Sequence, residues 1–183
     1  MLTIIVLALL IAILLYLAGA YNRGVKLRNY VREAFSTMDV YLKKRWDLIP
    51  NLVEAVKGYA EHEKGLLNQL TEVRTKAYSE MSDSEKLQAN MQLGSILPKI
   101  IAVAENYPDL KASENFRHLM TDLTAVEEDI ANSRKYYNGT VRELNTYTEM
   151  FPSNIVCSIF GIHQEKLFEI AETERENVSV KFD

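Results

Sequence analysis

The fold is decided by the stretch VREAFSTMDVYLKKRWDLIPNLVEAV, residues 31–56, in which mostly apolar residues recur alternately after three and four residues. We call such a row of residues along one helix face a seam. The same step continues to Ala77, and its period of 3.5 residues is typical of a helix face packed in a bundle. We therefore predict a helix from Leu27 to Ala77. The first seam comprises Val31, Phe35, Met38, Leu42, Arg45, Ile49, Leu52, Val56, Tyr59, Glu63, Leu66, Leu70, Val73 and Ala77.

Pro50 lies within the first seam. Because the seam keeps its phase across this residue, we predict that one helix continues past it with a kink. Asp47 and Asn51 are polar neighbours that could satisfy the freed backbone groups. The alternative is two helices that meet at Asp47, which would then serve as an N-cap.

A second seam recurs every seven residues. It comprises Phe116, Leu123, Ile130, Tyr137, Leu144 and Phe151, with Leu119, Val126 and Tyr147 at intermediate positions. Between the seams, Ser82 and Glu85 form a capping-box pattern that opens a shorter helix, which closes at residues 107–109. Pro152 marks a turn into a short final helix around Phe160 to Thr173. The fold class is all-α, with a coiled-coil-like antiparallel bundle of three or four helices after a membrane anchor.

The anchor is the uncharged run from Leu2 to Ala20, which as a helix nearly spans a hydrocarbon core of about 30 Å. Four cations follow it, namely Arg23, Lys26, Arg28 and Arg32. Positive charge favours the cytoplasmic side, so we predict a single-pass protein with its amino terminus outside and its body in the cytoplasm. The alternative is a cleaved signal peptide ending at residues 18–20. We divide the chain into an anchor (1–22), a helical bundle (23–176) and an extended tail (177–183).

Composition and motifs give no enzyme signature. The three histidines are far apart, and the glycine-rich phosphate loop, the nucleophile elbow and the zinc-protease pattern are all missing. The single Cys157 cannot form an internal disulfide, and its apolar setting is typical of a core residue. We therefore expect no catalytic residue, cofactor or metal. The net charge of −4, with its cations beside the anchor, favours anionic lipid over nucleic acid as an electrostatic partner.

Four charged residues interrupt the seams: Arg45, Glu63, Glu127 and Arg134. Burial of an unpaired charge costs several kcal/mol, so each should meet an opposite charge, a polar group or water. Arg45 and Glu63 would be about 27 Å apart along one helix, whereas Glu127 and Arg134 would be only about 10 Å apart. Two straight neighbouring helices therefore cannot bring both charges of the first seam against both charges of the second. We predict that at least one of these charges contacts a different helix or a second subunit. The alternative is that all four lie at the seam edge in water.

Several short motifs resemble the LemA family. They are Tyr21-Asn22, Val25, Leu27-Arg28-Asn29, Asp39-Val40, Leu42-Lys43-Lys44-Arg45, Asp47-Leu48-Ile49-Pro50-Asn51-Leu52, Val56-Lys57-Gly58-Tyr59-Ala60, Glu63, Tyr107-Pro108-Asp109-Leu110-Lys111, Glu127, Ile130-Ala131, Arg134, Tyr137-Asn138, Asn145 and Phe151-Pro152. The resemblance covers nearly the whole chain. Phe35 stands where the family often has tryptophan, and Asn177 where proline is usual.

The resemblance implies a bacterial inner-membrane protein with one transmembrane segment, a cytoplasmic helical bundle and no established catalytic activity. It also implies that seven polar residues within the matching motifs matter, and structural or assembly roles are the economical explanation for them. These residues are Arg45, Asp47, Asn51, Glu63, Glu127, Arg134 and Asn138.

The expected function is that of a membrane-anchored scaffold or adaptor. Its partners would be the lipid bilayer, further copies of the same chain and an unidentified protein. We expect self-association because a helix from Leu27 to Ala77 would be longer than its neighbouring helices, so that part of its apolar seam would be left for another chain to cover. The alternatives are a small-ligand or enzyme pocket lined by the polar seam residues, and an anionic-lipid sensor that uses the cations after the anchor.

Overall fold

The computed structural model describes residues 1–59, 63–74 and 76–168. Every regular element in these ranges is helical and no β-strand occurs in them, which confirms the all-α class. The elements are α1 (Leu2–Lys57), α2 (Lys64–Val73), a 3₁₀ turn (Tyr78–Glu80), α3 (Asp83–Ala104), α4 (Pro108–Ala112), α5 (Glu114–Glu149) and α6 (Ser153–Ile159). The domain boundaries and the coiled-coil character stay predictions, and the tail 177–183 lies outside the described residues.

Helix α1 passes through Pro50 without interruption, so the prediction of one helix is confirmed and the alternative break at Asp47 is wrong. The predicted continuation to Ala77 is also wrong, because α1 ends at Lys57. Gly58 follows that residue, and glycine is about 1 kcal/mol less favourable than alanine inside a helix. Tyr59 is exposed, and on α2 Leu67 is buried while Leu66 is only partly so. After Val56 the first seam is therefore kept only in part, because Leu70 is fully buried whereas Tyr59 is exposed.

The first part of α1 is apolar and exposed. Its most apolar 18-residue window has a mean hydropathy of 2.9, and none of that window is buried against the rest of the chain. Length and composition therefore allow this segment to cross a membrane. Among the helices within the described ranges, α1 alone meets both conditions.

The chain divides into two compact units, of which unit 1 comprises residues 1–38 and 132–168. Within unit 1, α1 and α5 run antiparallel. The Tyr147 hydroxyl donates to the Ala20 carbonyl at 2.8 Å, and further along α1 the Phe35 ring lies 5.9 Å from that of Tyr137. A Cβ on Gly24 would lie 2.7 Å from the Ile162 side chain, so a glycine there permits close packing on α1.

Residues 161–168 form an irregular segment, which we call the strap. The predicted final helix around Phe160 to Thr173 is therefore wrong as far as Phe168, and its remainder lies outside the described residues. Side chains of α5 hold the strap through its backbone. Asn138 bonds the amide and carbonyl of Phe168 at 2.8 and 2.9 Å, and Asn145 bonds both groups of Glu165 at 2.9 Å. These amides satisfy backbone groups that a helix would have paired internally.

Phe151 was expected on the second seam, and this prediction is wrong, because the side chain is 78% exposed. Helix α5 ends at Glu149, just before the Phe151-Pro152 pair. A proline disfavours helical geometry at the residue that precedes it. Of the earlier positions, Tyr147 is only partly buried and the others are confirmed. The buried ones are Phe116, Leu119, Leu123, Val126, Ile130, Tyr137 and Leu144.

Unit 2 comprises, within the described residues, 39–59, 63–74 and 76–131. Its core is formed by apolar side chains from the end of α1, from α2, α3 and α4, and from the first part of α5. The largest of them include Leu42, Ile49, Leu52, Val56, Leu70, Leu93, Ile100 and Leu110. Helix α3 begins with the predicted capping box, in which Ser82 and Glu85 satisfy each other's backbone N–H groups. Pro98 lies inside α3.

The capping box predicts a pH dependence at the start of α3. A hydrogen bond from Lys76, and then bonds from the Ser82 backbone and hydroxyl, lower the pKa of Glu85 from 4.5 to about 2. A lowered pKa in the folded state means that the stabilisation is complete above pH 4.5 and is lost as the pH falls toward 2. We expect an NMR titration of the Glu85 side chain to give a midpoint near the lower value.

Two comparisons test that pH dependence. Ser82→Ala should raise the pKa of Glu85, whereas Ser84→Ala, which changes an exposed serine in the same turn, should leave it in place. High salt should also raise the pKa, because the exposed ion pair with Lys76 is screened. An unchanged titration in Ser82→Ala would contradict the assigned cause.

Candidate functional site

The most polar buried group in unit 2 is the guanidinium of Arg45, on the buried face of α1. The residue is only 3% exposed. Its Nη1 donates to both carboxylate oxygens of Glu127, at 2.9 and 3.1 Å. Its Nη2 donates to the Asn90 carbonyl at 2.6 Å and to Asn90 Oδ1 at 2.9 Å, and its Nε donates to the same Oδ1 at 3.2 Å. All three nitrogens of the guanidinium thus donate to acceptors.

Asn90 and Glu127 bring the partners of Arg45 from two other helices. Asn90 of α3 is fully buried, and its own amide donates to the Lys86 carbonyl at 2.9 Å. Glu127 of α5 keeps 44% of its side chain in solvent. The Arg45 cluster, by which we mean Arg45, Asn90 and Glu127, therefore joins α1, α3 and α5. Bonds that involve an ionised group are roughly twice as strong as neutral ones, so this cluster fixes how the three helices pack.

A second polar group extends toward the start of α3. Lys86 forms an ion pair with Asp39 at 2.8 Å, and the Tyr78 hydroxyl donates to the other Asp39 oxygen at 2.7 Å. Burial, followed by the hydrogen bond to Asp39, raises the pKa of Tyr78 far above its ordinary value of 10. This phenol therefore stays protonated and acts as a donor. The Trp46 ring lies 5.5 Å from that of Tyr78 and completes the contact.

The structure brings together two of the seven polar residues singled out by sequence, Arg45 and Glu127. Asp47 is exposed and pairs with Lys43 at 2.6 Å, and Asn51 is also exposed. Glu63 is the N-cap residue of α2 and makes no side-chain cap bond. Arg134 and Asn138 belong to unit 1, where the Arg134 guanidinium lies 5.6 Å from the Phe168 ring centre and Asn138 holds the strap.

The predicted geometry of the seam charges is partly corrected. Arg45 is buried and paired, so the alternative of a position at the seam edge in water is wrong for this residue. Because α1 ends at Lys57, Glu63 is not on the same helix as Arg45. Arg45 contacts α3, through Asn90, as well as α5, through Glu127.

The cations after the anchor have different environments. Arg23 pairs with Glu143, both being half-exposed, and the Lys26 ammonium lies 5.6 Å from the centre of the Tyr30 ring. Arg28 is partly buried and Arg32 is exposed. Cys157 is buried as expected, and burial raises the pKa of its thiol. A raised pKa disfavours the reactive thiolate.

Sequence reasoning missed Asn90, Asp39, Lys86 and Tyr78. A signal for Asn90 was present, because it lies three and seven residues before Leu93 and Leu97, which places it on the buried face of α3. No such spacing identifies the other three. Within the described residues, no group of three or more His, Cys, Asp or Glu side chains is arranged to hold a metal ion.

An exposed apolar N-terminal helix followed by a helical body is typical of membrane-associated helical proteins. The chain belongs to the LemA family, whose sequence model matches residues 34–182. It is similar to protein LemA of Metamycoplasma hominis, with 24% identity over 161 residues that cover 87% of this chain and 74% of the relative. It is also similar to magnetosome protein MamQ 2 of Paramagnetospirillum magneticum, with 23% identity over 87% of this chain and 68% of the relative.

Proposed function

We propose that this protein is a non-enzymatic, membrane-anchored helical scaffold at the cytoplasmic face of a bacterial membrane, and that it self-associates. The observation that carries the proposal is the hydrogen bonding of Arg45. All three nitrogens of its guanidinium donate to Asn90 or Glu127, so this buried charge is already paired within the bundle. A buried charge used in this way holds helices together.

The orientation rests on charge. Arg23, Lys26, Arg28 and Arg32 follow the apolar segment. Cations next to a membrane span favour the cytoplasmic side, which supports an external amino terminus. This assignment also supports a scaffold that presents its helical body to cytoplasmic partners.

Self-association has support other than seam length, which no longer applies because α1 ends at Lys57. An apolar groove of about 160 Å³ lies among Leu52, Leu97, Ile100, Ile101, Met120, Leu123, Thr124 and Glu127. Ile101 stays substantially exposed beside it. In the anchor, the small side chains of Ala8 and Ala12 are spaced so that a second helix could approach closely.

The alternative of a small-ligand pocket lined by the polar seam is less well supported. Ligand sites generally occupy about 300–1,000 Å³. The groove beside Glu127 is smaller, and every other residue that lines it except Thr124 is apolar. A groove of this size suits one apolar side chain of a protein partner better than a whole ligand.

Crosslinking of the full chain in its native membrane, with light scattering in mild detergent, tests the proposal. We expect species larger than the monomer. Ile101→Glu should reduce their fraction, because a charge would have to be buried at the groove. The matched control is Ala102→Glu, which changes the next exposed position of α3. Monomers at every accessible concentration would contradict self-association, and equal effects of the two variants would contradict a role for the groove.

A further inference from the structure

The segment around α6 exposes several large apolar side chains within a short stretch of sequence. Residues 150–162 contain no charged residue and no histidine. Five large apolar side chains here are between 51% and 78% exposed, and we call them the α6 patch: Met150, Phe151, Ile155, Ile159 and Phe160. Contiguous apolar patches of this kind mark a contact with another molecule or with a membrane.

The α6 patch includes the exposed face of α6, and the opposite face of this helix is packed within unit 1. Ile155 and Ile159 are four residues apart on α6, a spacing that places their side chains on the same face of the helix, and the exposed Phe151 lies in the turn just before α6. Ser153, Val156 and Cys157 are buried on the other side. Helix α6 is therefore apolar on both sides, although it buries only one of them within unit 1.

The α6 segment contacts α1 at the end of the apolar anchor. The Phe160 ring lies 4.7 Å from the ring of Tyr21, the first residue after the run 2–20. Tyr147, shortly before α6, donates to the carbonyl of Ala20. Ile162, just after α6, packs against Gly24. The α6 patch thus begins at the level where the anchor leaves the hydrocarbon core.

We propose that the α6 patch is immersed in the boundary between the acyl chains and the headgroups of the bilayer that α1 crosses. This inference rests on insertion of α1 and is independent of the scaffold proposal. Lipid is favoured as the occupant because the patch is continuous with the anchor surface at Tyr21 and because its segment is uncharged. Aromatic rings such as those of Tyr21 and Phe160 are typical of this boundary, and short apolar helix faces insert there.

Fluorescence quenching in lipid tests this placement on the full chain. Cys157→Ala removes the buried thiol, and Ile159→Cys then carries the fluorophore NBD. The protein is placed at one copy per nanodisc of phosphatidylcholine and phosphatidylglycerol. The probe should be quenched by lipids that bear a doxyl group near the headgroup, and it should be shielded from iodide in the water.

Two matched positions complete the design. Tyr136→Cys labels an exposed position of unit 1 on α5, outside the α6 patch. A probe there should not be quenched by the doxyl lipids, and its quenching by iodide should be several-fold stronger than at residue 159. Leu10→Cys labels the middle of the anchor and reports its insertion through quenching by lipids that bear the doxyl group deep in the acyl chain. Circular dichroism confirms that each labelled variant keeps its helix content.

Each outcome decides the proposal. Doxyl quenching at residues 10 and 159 but not at 136 supports it. Iodide quenching at residue 159 while residue 10 is quenched by lipid places the α6 patch in water and overturns it. Shielding from both quenchers at residue 159 indicates cover by protein and overturns it equally. Absence of lipid quenching at residue 10 removes the membrane premise and the proposal with it.

Discussion

Glu127→Gln should lower the free energy of unfolding by about 3 kcal/mol. The change removes the counter-charge of Arg45, which is 3% exposed and would then be an uncompensated buried cation. Breaking a buried ion pair commonly costs about 3–5 kcal/mol, and the lower end applies because the Glu127 side chain is half-exposed and glutamine keeps one acceptor. Urea unfolding of the full chain in detergent, followed by circular dichroism, measures the effect.

The matched control is Glu128→Gln, which changes an exposed carboxylate at the next position of α5 and should alter stability by less than about 0.5 kcal/mol. The double variant Arg45→Met with Glu127→Gln should be more stable than the sum of the single effects predicts, by about 1–2 kcal/mol. Equal stability of Glu127→Gln and Glu128→Gln would show that Arg45 does not depend on Glu127. That result would favour a ligand-binding role for Arg45 over a structural one.

The second large effect concerns the strap. Asn138→Ala removes two hydrogen bonds to the backbone of Phe168 and should cost about 2 kcal/mol, at about 1 kcal/mol for each bond. The Phe168 ring is buried, so loss of its backbone bonds should also loosen its contact with Arg134. Hydrogen exchange should report faster exchange at the Phe168 amide, together with a lower unfolding midpoint.

Asn132→Ala is the control for the strap, because it removes an exposed asparagine from α5 in the same unit. This variant should exchange at Phe168 as the unchanged protein does. If Asn138→Ala also leaves that exchange rate unchanged, the strap is held by other contacts. Tyr137, whose hydroxyl donates to the Lys166 carbonyl at 2.9 Å, would be the next residue to change.

Much of the helical framework could be predicted from the sequence, because the signals for it are local. The uninterrupted phase of the first seam indicated that α1 passes through Pro50, and the Ser82–Glu85 pattern located the start of α3. The interruption of the first seam by Arg45 indicated a buried charge that needs partners. Each of these inferences uses residues within one or two helical turns of each other.

The same local reasoning failed where an element ends. The seam was extended past Gly58 and past Glu149, although α1 stops at Lys57 and α5 at Glu149. A period of 3.5 residues assigns a face only while the helix continues. Beyond its end the side chain position is set by the turn, and for this reason Phe151 is exposed in the α6 patch.

The sequence by itself determined that this chain is helical, that it carries an apolar segment long enough for a membrane, and that Arg45 would need partners. Only the tertiary structure decided what those partners are. Asn90 and Glu127 lie 45 and 82 residues away along the chain, and Phe168 lies 30 residues from Asn138. Helical periodicity fixes which face a residue lies on, whereas contacts between distant segments depend on how the connecting turns bring those faces together.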